Sequence, residues 1–216
     1  MGPKAGGSRR CWSRYFAGAA FQPTVSALIR QFAGVNAIAI DIPIGLPVGQ
    51  FRPADAAARA FVGPERAASV FPTPPAEVLA ARTYAEANEI SRRLVGTGIS
   101  QQTWALRGRI FEVAEVAASD DRIIEVHPEV SFRALNGRPV RYSKHSWSGI
   151  AQRRSRLAGA GILLPDEPPD GGRVDPDDVV DAAVAAWSAL RVAMGRSATL
   201  PAAPSGDTAD GGVIHY

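Results

Sequence analysis

Val35-Asn36-Ala37-Ile38-Ala39-Ile40-Asp41-Ile42-Pro43 is the stretch from which the fold is read. From Ile38 to Ile42 it is apolar on both faces except at Asp41. Such a run reads as a strand covered on both sides, as in a parallel or mixed sheet. Pro43 and Gly45 end it. An acid inside an apolar strand is costly unless it is paired or ligated. Asp41 is therefore the first candidate functional residue, against the plainer reading that it bonds turn amides ahead of Pro43.

Working outward, Ile123-Ile124-Glu125-Val126 reads as a second strand, broken by His127-Pro128. Helical spacing places Val25, Leu28, Ile29 and Phe32 on one face of a helix over 24–33. Further helices are expected at 53–61, 75–81, 84–94, 101–117, 129–135 and 148–159. The strongest is 176–194, where Val180, Ala183, Val184, Trp187, Leu190 and Met194 form an apolar stripe. Asp175 suits its N-cap and Pro176 its first position. Residues 165–175 read as a polar loop and 197–212 as a Pro/Gly/Ala-rich segment, with a candidate edge strand at 213–216. The pattern is α/β, with no repeats.

The bulk properties fit one domain. The chain has 216 residues, 46% hydrophobic and 21% charged, with a net charge of +3. That length buries a core without staples, and no apolar run reaches the length of a membrane span. No secretory signal is read at the N-terminus. The single cysteine, Cys11, cannot form an internal disulfide, which fits a cytoplasmic location. The densest basic cluster is Arg153, Arg154 and Arg156; it reads either as a phosphate-binding array or as a solvated helix face.

Chemistry is expected where acids gather. Asp41 and Glu125 end two strands, Glu129 follows, and Asp178 and Asp181 share one face of the last helix. Ligands in open α/β folds collect outside the carboxyl ends of strands. Converging carboxylates there call for a hard cation, Mg²⁺ or Mn²⁺, able to support phosphodiester hydrolysis. Asp178 has a second explanation in the helix dipole, which applies less to Asp181 one turn further on. His127 lacks a zinc-ligand partner at suitable spacing; it reads equally as a turn histidine bonded to backbone or as a general base. Dinucleotide, Walker and nucleophile-elbow motifs are absent. Trp104, Trp147 and Trp187 read as core or flanking aromatics, not as a stacking platform for single strands.

Several strings together carry a resemblance. Ala39-Ile-Asp-Ile-Pro-Ile-Gly-Leu-Pro47, Ser69-Val-Phe-Pro72, Gly98-Ile-Ser-Gln101, Glu125-Val-His-Pro-Glu-Val-Ser-Phe132, Ser143-Lys144 and Asp178-Val-Val-Asp-Ala-Ala-Val-Ala-Ala-Trp187 resemble the family known as domain of unknown function 429. The resemblance spans about 35–194. It implies a ribonuclease-H-like fold, a five-stranded mixed sheet flanked by helices, and a metal-dependent nuclease. On that plan Asp41, Glu125 and Asp181 are catalytic, and Asp41, Asp178 and Asp181 hold Mg²⁺ or Mn²⁺. A nuclease of this kind would hold DNA or RNA phosphates with Lys144, whose default reading is a surface lysine, and with Arg153 and Arg154. Glu125 or Glu129 is a candidate additional ligand or support, and His127 a further candidate. The implied layout is an atypical segment over 1–34, a ribonuclease-H-like domain over 35–196, and a tail over 197–216.

One departure stands out. Proteins similar to this one open with a strand reading roughly G-[IV]-D-G, whose Asp is the central metal ligand. Residues 1–34 here contain no Asp or Glu. The expectation is that the first strands are altered, by a misplaced start or a frameshift, or that the acid is replaced. This opens a second hypothesis, a catalytically impaired protein of the same fold that binds nucleic acid or a protein partner. A third, an ATP-using enzyme of the actin and sugar-kinase branch, lacks the Gly-rich phosphate turns it needs.

Overall fold

A computed structural model describes residue 18 and residues 20–167, 174–202 and 212–216. Cys11, Trp12 and the question of a strand within the first 17 residues lie outside the described residues, as does most of the Pro/Gly-rich segment over 203–211.

The elements follow in chain order as α1 (Val25–Gln31), β1 (Ile38–Ile40), α2 (Pro53–Val62), α3 (Ala76–Leu79), α4 (Tyr84–Val95), α5 (Gln101–Ala105), α6 (Arg107–Ala117), β2 (Ile123–Glu125), α7 (Pro128–Asn136), α8 (Trp147–Gly159), α9 (Pro176–Ala193), β3 (Thr199–Leu200) and β4 (Ile214–His215). The result is a mixed α/β fold with a small parallel sheet. Strand β1 pairs with β2 in parallel, Ile40 opposite Glu125. A parallel bridge from Val126 to His215 carries the sheet on to β4, which pairs antiparallel with β3. The expected edge strand at the C-terminus is therefore present. Its partner at Thr199 was hidden in a segment that reads as loop.

Local chemistry explains most boundaries. Thr24, Thr83, Ser100 and Ser146 each accept a backbone N–H at the start of α1, α4, α5 and α8; hydroxyls at that position satisfy donors the helix leaves open. The expected helix over 101–117 is interrupted at Leu106, whose N–H is shared between the carbonyls of Gln102 and Thr103.

The core has three patches. Ala54, Ala58 and Val62 of α2 meet Val130, Leu200 and Ile214. Phe132 and Leu157 meet Val180, Ala183 and Val184 of α9. Ala185 of α9 covers Ile124 and Val126, with Ala39 and Val192 alongside. The predicted stripe of α9 is thus right in its first half only. Leu190 and Met194 are exposed, because the second half turns Ser188 and Val192 inward; the Ser188 hydroxyl bonds that of Ser131 on α7 at 2.8 Å. The expectation that β1 is covered on both sides is also corrected. Its residues are half-buried and, among the described residues, it has one neighbouring strand. No helix among the described residues is long and apolar enough to cross a membrane.

Candidate functional site

The ladder continues one step past β1, where the Val126 amide donates to the Ile40 carbonyl at 3.0 Å. Asp41, Glu125 and His127 therefore stand at the carboxyl ends of the parallel strands, the usual position of ligand sites in α/β folds. With Thr73, Lys144 and Asp181 they line a cleft of about 370 Å³.

Side-chain alternation divides the acids between two faces of the sheet. Ala39 and Ile124 point towards α9. Glu125, one residue past Ile124, points the other way, towards α2. Asp41, two residues past Ala39, returns to the α9 side.

On the α2 face, Glu125 is enclosed. Its two carboxylate oxygens accept Nη1 and Nη2 of Arg52, each at 2.7 Å, and Oε2 also accepts the Ile44 amide at 2.6 Å. Arg52 also donates to Asp55 Oδ1 at 2.5 Å, and Asp55 Oδ2 accepts the Thr73 amide at 2.6 Å. All three charged residues are buried. Burial alone works against the Arg52 charge, but the two carboxylates outweigh it and hold the guanidinium firmly protonated. Burial pushes the Glu125 carboxyl up and Arg52 pulls it back; three short donors require the ionised form. Glu125 is thus a brace between strand β2, the loop after Asp41 and helix α2, rather than a free ligand.

On the α9 face the acids meet an ammonium. Lys144 Nζ lies 2.7 Å from Asp181 Oδ2 and 3.1 Å from Asp177 Oδ2. His145 Nδ1 stands 3.4 Å from the same Asp177 oxygen. Asp177 and Asp181 are one helical turn apart, so they converge. Asp178 is exposed beside them. Burial tends to lower the Lys144 pKa, but its bonds to Asp181 and Asp177 raise it above the ordinary lysine range. Burial raises Asp181 and Lys144 opposes that. Asp41 is also strongly perturbed. Burial, then Asp181 and Asp178, lift its carboxyl from 3.8 to about 7 against the pull of Lys144. Solvent nonetheless reaches Asp41 through the cleft mouth, which limits the effect of burial and gives more weight to the like charges.

The remaining sequence candidates have other partners. His127 caps α7: its Nδ1 accepts the Glu129 amide at 3.2 Å. Its Nε2, 3.2 Å from the Ser69 carbonyl, must then carry the proton and donate it. Both ring nitrogens are occupied, and burial lowers the pKa, so the ring is held neutral as a structural cap. Glu129 accepts a short bond from Arg153 Nη2. Arg153 is fully buried, its Nη1 donating to the Tyr142 carbonyl at 3.0 Å. Its expected phosphate role is corrected, because no phosphate reaches a buried guanidinium. Arg154 bonds Asp166 at 2.9 Å and the Pro165 carbonyl at 2.9 Å. Arg52 and Asp55 are not among the sequence candidates, and Asp177 reads from sequence only as a first-turn acid favoured by the helix dipole. Its place four residues before Asp181 was the signal available for more. The Arg52-Pro53-Ala54-Asp55 pair had no signal beyond two charges three residues apart.

Comparison with known proteins places the chain in a family. The family model described as Protein of unknown function (DUF429) matches residues 6–206. No curated protein and no solved structure matches the chain.

Proposed function

The chain belongs to the DUF429 family, and we propose that it hydrolyses nucleic-acid phosphodiester bonds with a divalent cation at Asp41 and Asp181, on a ribonuclease-H-like plan. One observation carries this reading. Two acids from different elements line one open cleft at the strand ends, and burial, with the repulsion of Asp181 and Asp178 added to it, lifts the Asp41 carboxyl to about 7. A hard cation relieves such a clash.

The donor chemistry fits Mg²⁺ or Mn²⁺. Among the described residues no three His, Cys, Asp or Glu side chains form a closed metal cage. Mg²⁺ does not need one, since one or two carboxylates with waters and substrate phosphates suffice. Bound there, the ion supplies a polarised phosphate and a water of lowered pKa. The chain's own residues do the rest. Asp181 and Asp177 fix the Lys144 ammonium at the cleft wall, where it can meet a phosphate oxygen as a point charge. The Arg52–Glu125 brace fixes Ile44, and with it the turn that carries Asp41.

The test is cleavage of labelled single-stranded, duplex and branched DNA and RNA in Mn²⁺ or EDTA, with Mn²⁺ binding followed by electron paramagnetic resonance. Asp41→Asn and Asp181→Asn should each lower cleavage at least about a hundredfold and weaken Mn²⁺ binding. Full cleavage in either variant sinks the reading. A second reading, nucleic-acid binding without hydrolysis, is favoured by the position of Lys144, which already neutralises Asp181. Oligonucleotide binding with no Mn²⁺ uptake would select it.

A further inference from the structure

Segment 138–147 is the seam between two clefts. Its residues Ser143, Lys144 and His145 wall the acidic cleft. Its residues Arg138, Arg141 and Tyr142 wall a second one of about 620 Å³, whose lining includes Glu65 and Gln152. The clefts also adjoin at consecutive residues, Glu65 in one and Arg66 in the other.

The side chains on this seam are of an unusual kind for a solvent-facing surface. Arg138 and Arg141 are exposed. Among the described residues neither forms an ion pair. The Arg141 guanidinium lies 5.4 Å over the Tyr142 ring. Tyr142 is 42% exposed and Trp147 is 90% exposed, which corrects the reading of Trp147 as a core or flanking aromatic. A single exposed aromatic needs no explanation. Two of them flanking one turn, beside two guanidinium groups without an ion pair among the described residues and a lysine, do.

The segment is also held rigid. The Ser146 amide closes a turn on the Ser143 carbonyl at 3.1 Å. A Cβ at Gly149 would lie 1.7 Å from that carbonyl, so the turn packs directly on α8. Buried Arg153 pins the Tyr142 carbonyl from below at 3.0 Å. A backbone fixed in this way loses little entropy on binding.

We infer that segment 138–147 is a binding track for single-stranded nucleic acid leading into the acidic cleft, with Trp147 and Tyr142 stacking on bases and Arg138 and Arg141 meeting phosphates. The inference rests on the reading that nucleic acid is the ligand, and it deepens that reading by naming the strand form. Single strands are favoured because only unpaired bases offer free faces to an aromatic ring, and a charged groove with stacking platforms is how such strands are held.

The test is fluorescence anisotropy of labelled dT20, an abasic strand of the same length, and a 20-base-pair duplex. It is run in EDTA so that hydrolysis plays no part. The expected result is that parent protein prefers dT20. Trp147→Ala and Tyr142→Ala each weaken dT20 binding at least about fivefold and leave abasic-strand binding unchanged. Arg138→Ala with Arg141→Ala lowers the salt slope by about 1.4, at roughly 0.7 per phosphate contact on a single strand. All four residues are exposed, and circular dichroism checks that each variant folds. Aromatic variants that bind dT20 like the parent, a parent that prefers duplex, or no dT20 binding at low salt each overturn the inference. Aromatic-dependent dT20 binding without Mn²⁺-dependent cleavage would remove the hydrolytic reading and leave this one standing. Cleavage indifferent to Trp147 and Arg141 would do the reverse.

Discussion

Replacing Arg52 with Met gives a quantitative check on how the site is built. Met approximates the length of the arginine stem but brings no charge. The change leaves Glu125, 5% exposed, and Asp55, 3% exposed, as two carboxylates with no cation between them. Breaking a buried ion pair from one side costs about 3–5 kcal/mol. For a chain of this size each kcal/mol moves the melting temperature by about 2–4 °C, so a drop of about 6–20 °C is expected at pH 8. The assay is thermal unfolding followed by circular dichroism.

The sign of the pH dependence makes the prediction sharper. Without Arg52, burial and the Asp55 charge raise the folded pKa of Glu125 above the unfolded value, with only the Ile44 amide opposing them. The folded variant then binds protons more readily than the unfolded chain, so its stability rises as pH falls through that raised pKa. The gap between parent and variant should narrow towards pH 5. Adding Glu125→Gln, whose Oε1 can still accept the Ile44 amide, should recover at least about 1 kcal/mol over Arg52→Met alone, because one buried charge is gone. A variant within about 1 kcal/mol of the parent at pH 8, or a gap indifferent to pH, would refute the brace.

Other outcomes follow from the same geometry. Asp41→Asn should raise stability at pH 8 by about 1 kcal/mol, with solvent at the cleft mouth screening the rest. The gain should disappear as pH falls from about 7 to below 3.8, where the parent carboxyl is also neutral. His127→Ala should cost about 1 kcal/mol by removing the α7 cap. The parent's His127 contribution, with the folded pKa below 6.5, should be intact above pH 6.5 and fade as pH falls through the folded value; His127→Asn should retain a cap and lose that pH dependence in melting curves. Lys144→Met should tighten Mn²⁺ binding roughly tenfold by removing a like charge beside Asp41 and Asp181, yet lower cleavage; weaker Mn²⁺ binding would contradict the assigned electrostatics.

The sequence carried most of the helices and both parallel strands, because their apolar spacing and hydroxyl caps are local signals. It also located Asp41, Asp181 and Lys144, the residues that meet in the cleft. It failed on residues whose role depends on which face they occupy. Glu125 and Asp41 look equivalent as acids at strand ends, and only the pairing of Ile40 with Glu125 shows that they face opposite ways. That register follows from a long crossover between distant segments and has no local mark. Arg153 illustrates the same limit. Among the three arginines of Arg153-Arg154-Ser155-Arg156 nothing distinguishes the one that is buried, yet α8 turns Arg153 under the Tyr142 carbonyl and leaves Arg156 in solvent.

The division of charge by face has a functional consequence. On the α2 side, a guanidinium is locked between two carboxylates, and every oxygen of Glu125 has a donor. On the α9 side, one ammonium serves Asp177 and Asp181 while Asp41 keeps a proton near neutrality. The first arrangement is complete without a ligand. The second lacks positive charge, and it is the one open to solvent. A cation or a cationic group entering the cleft gains most beside Asp41, so the strand-end acid that first marked the sequence remains the place where binding should begin. Glu125 holds the turn that presents it.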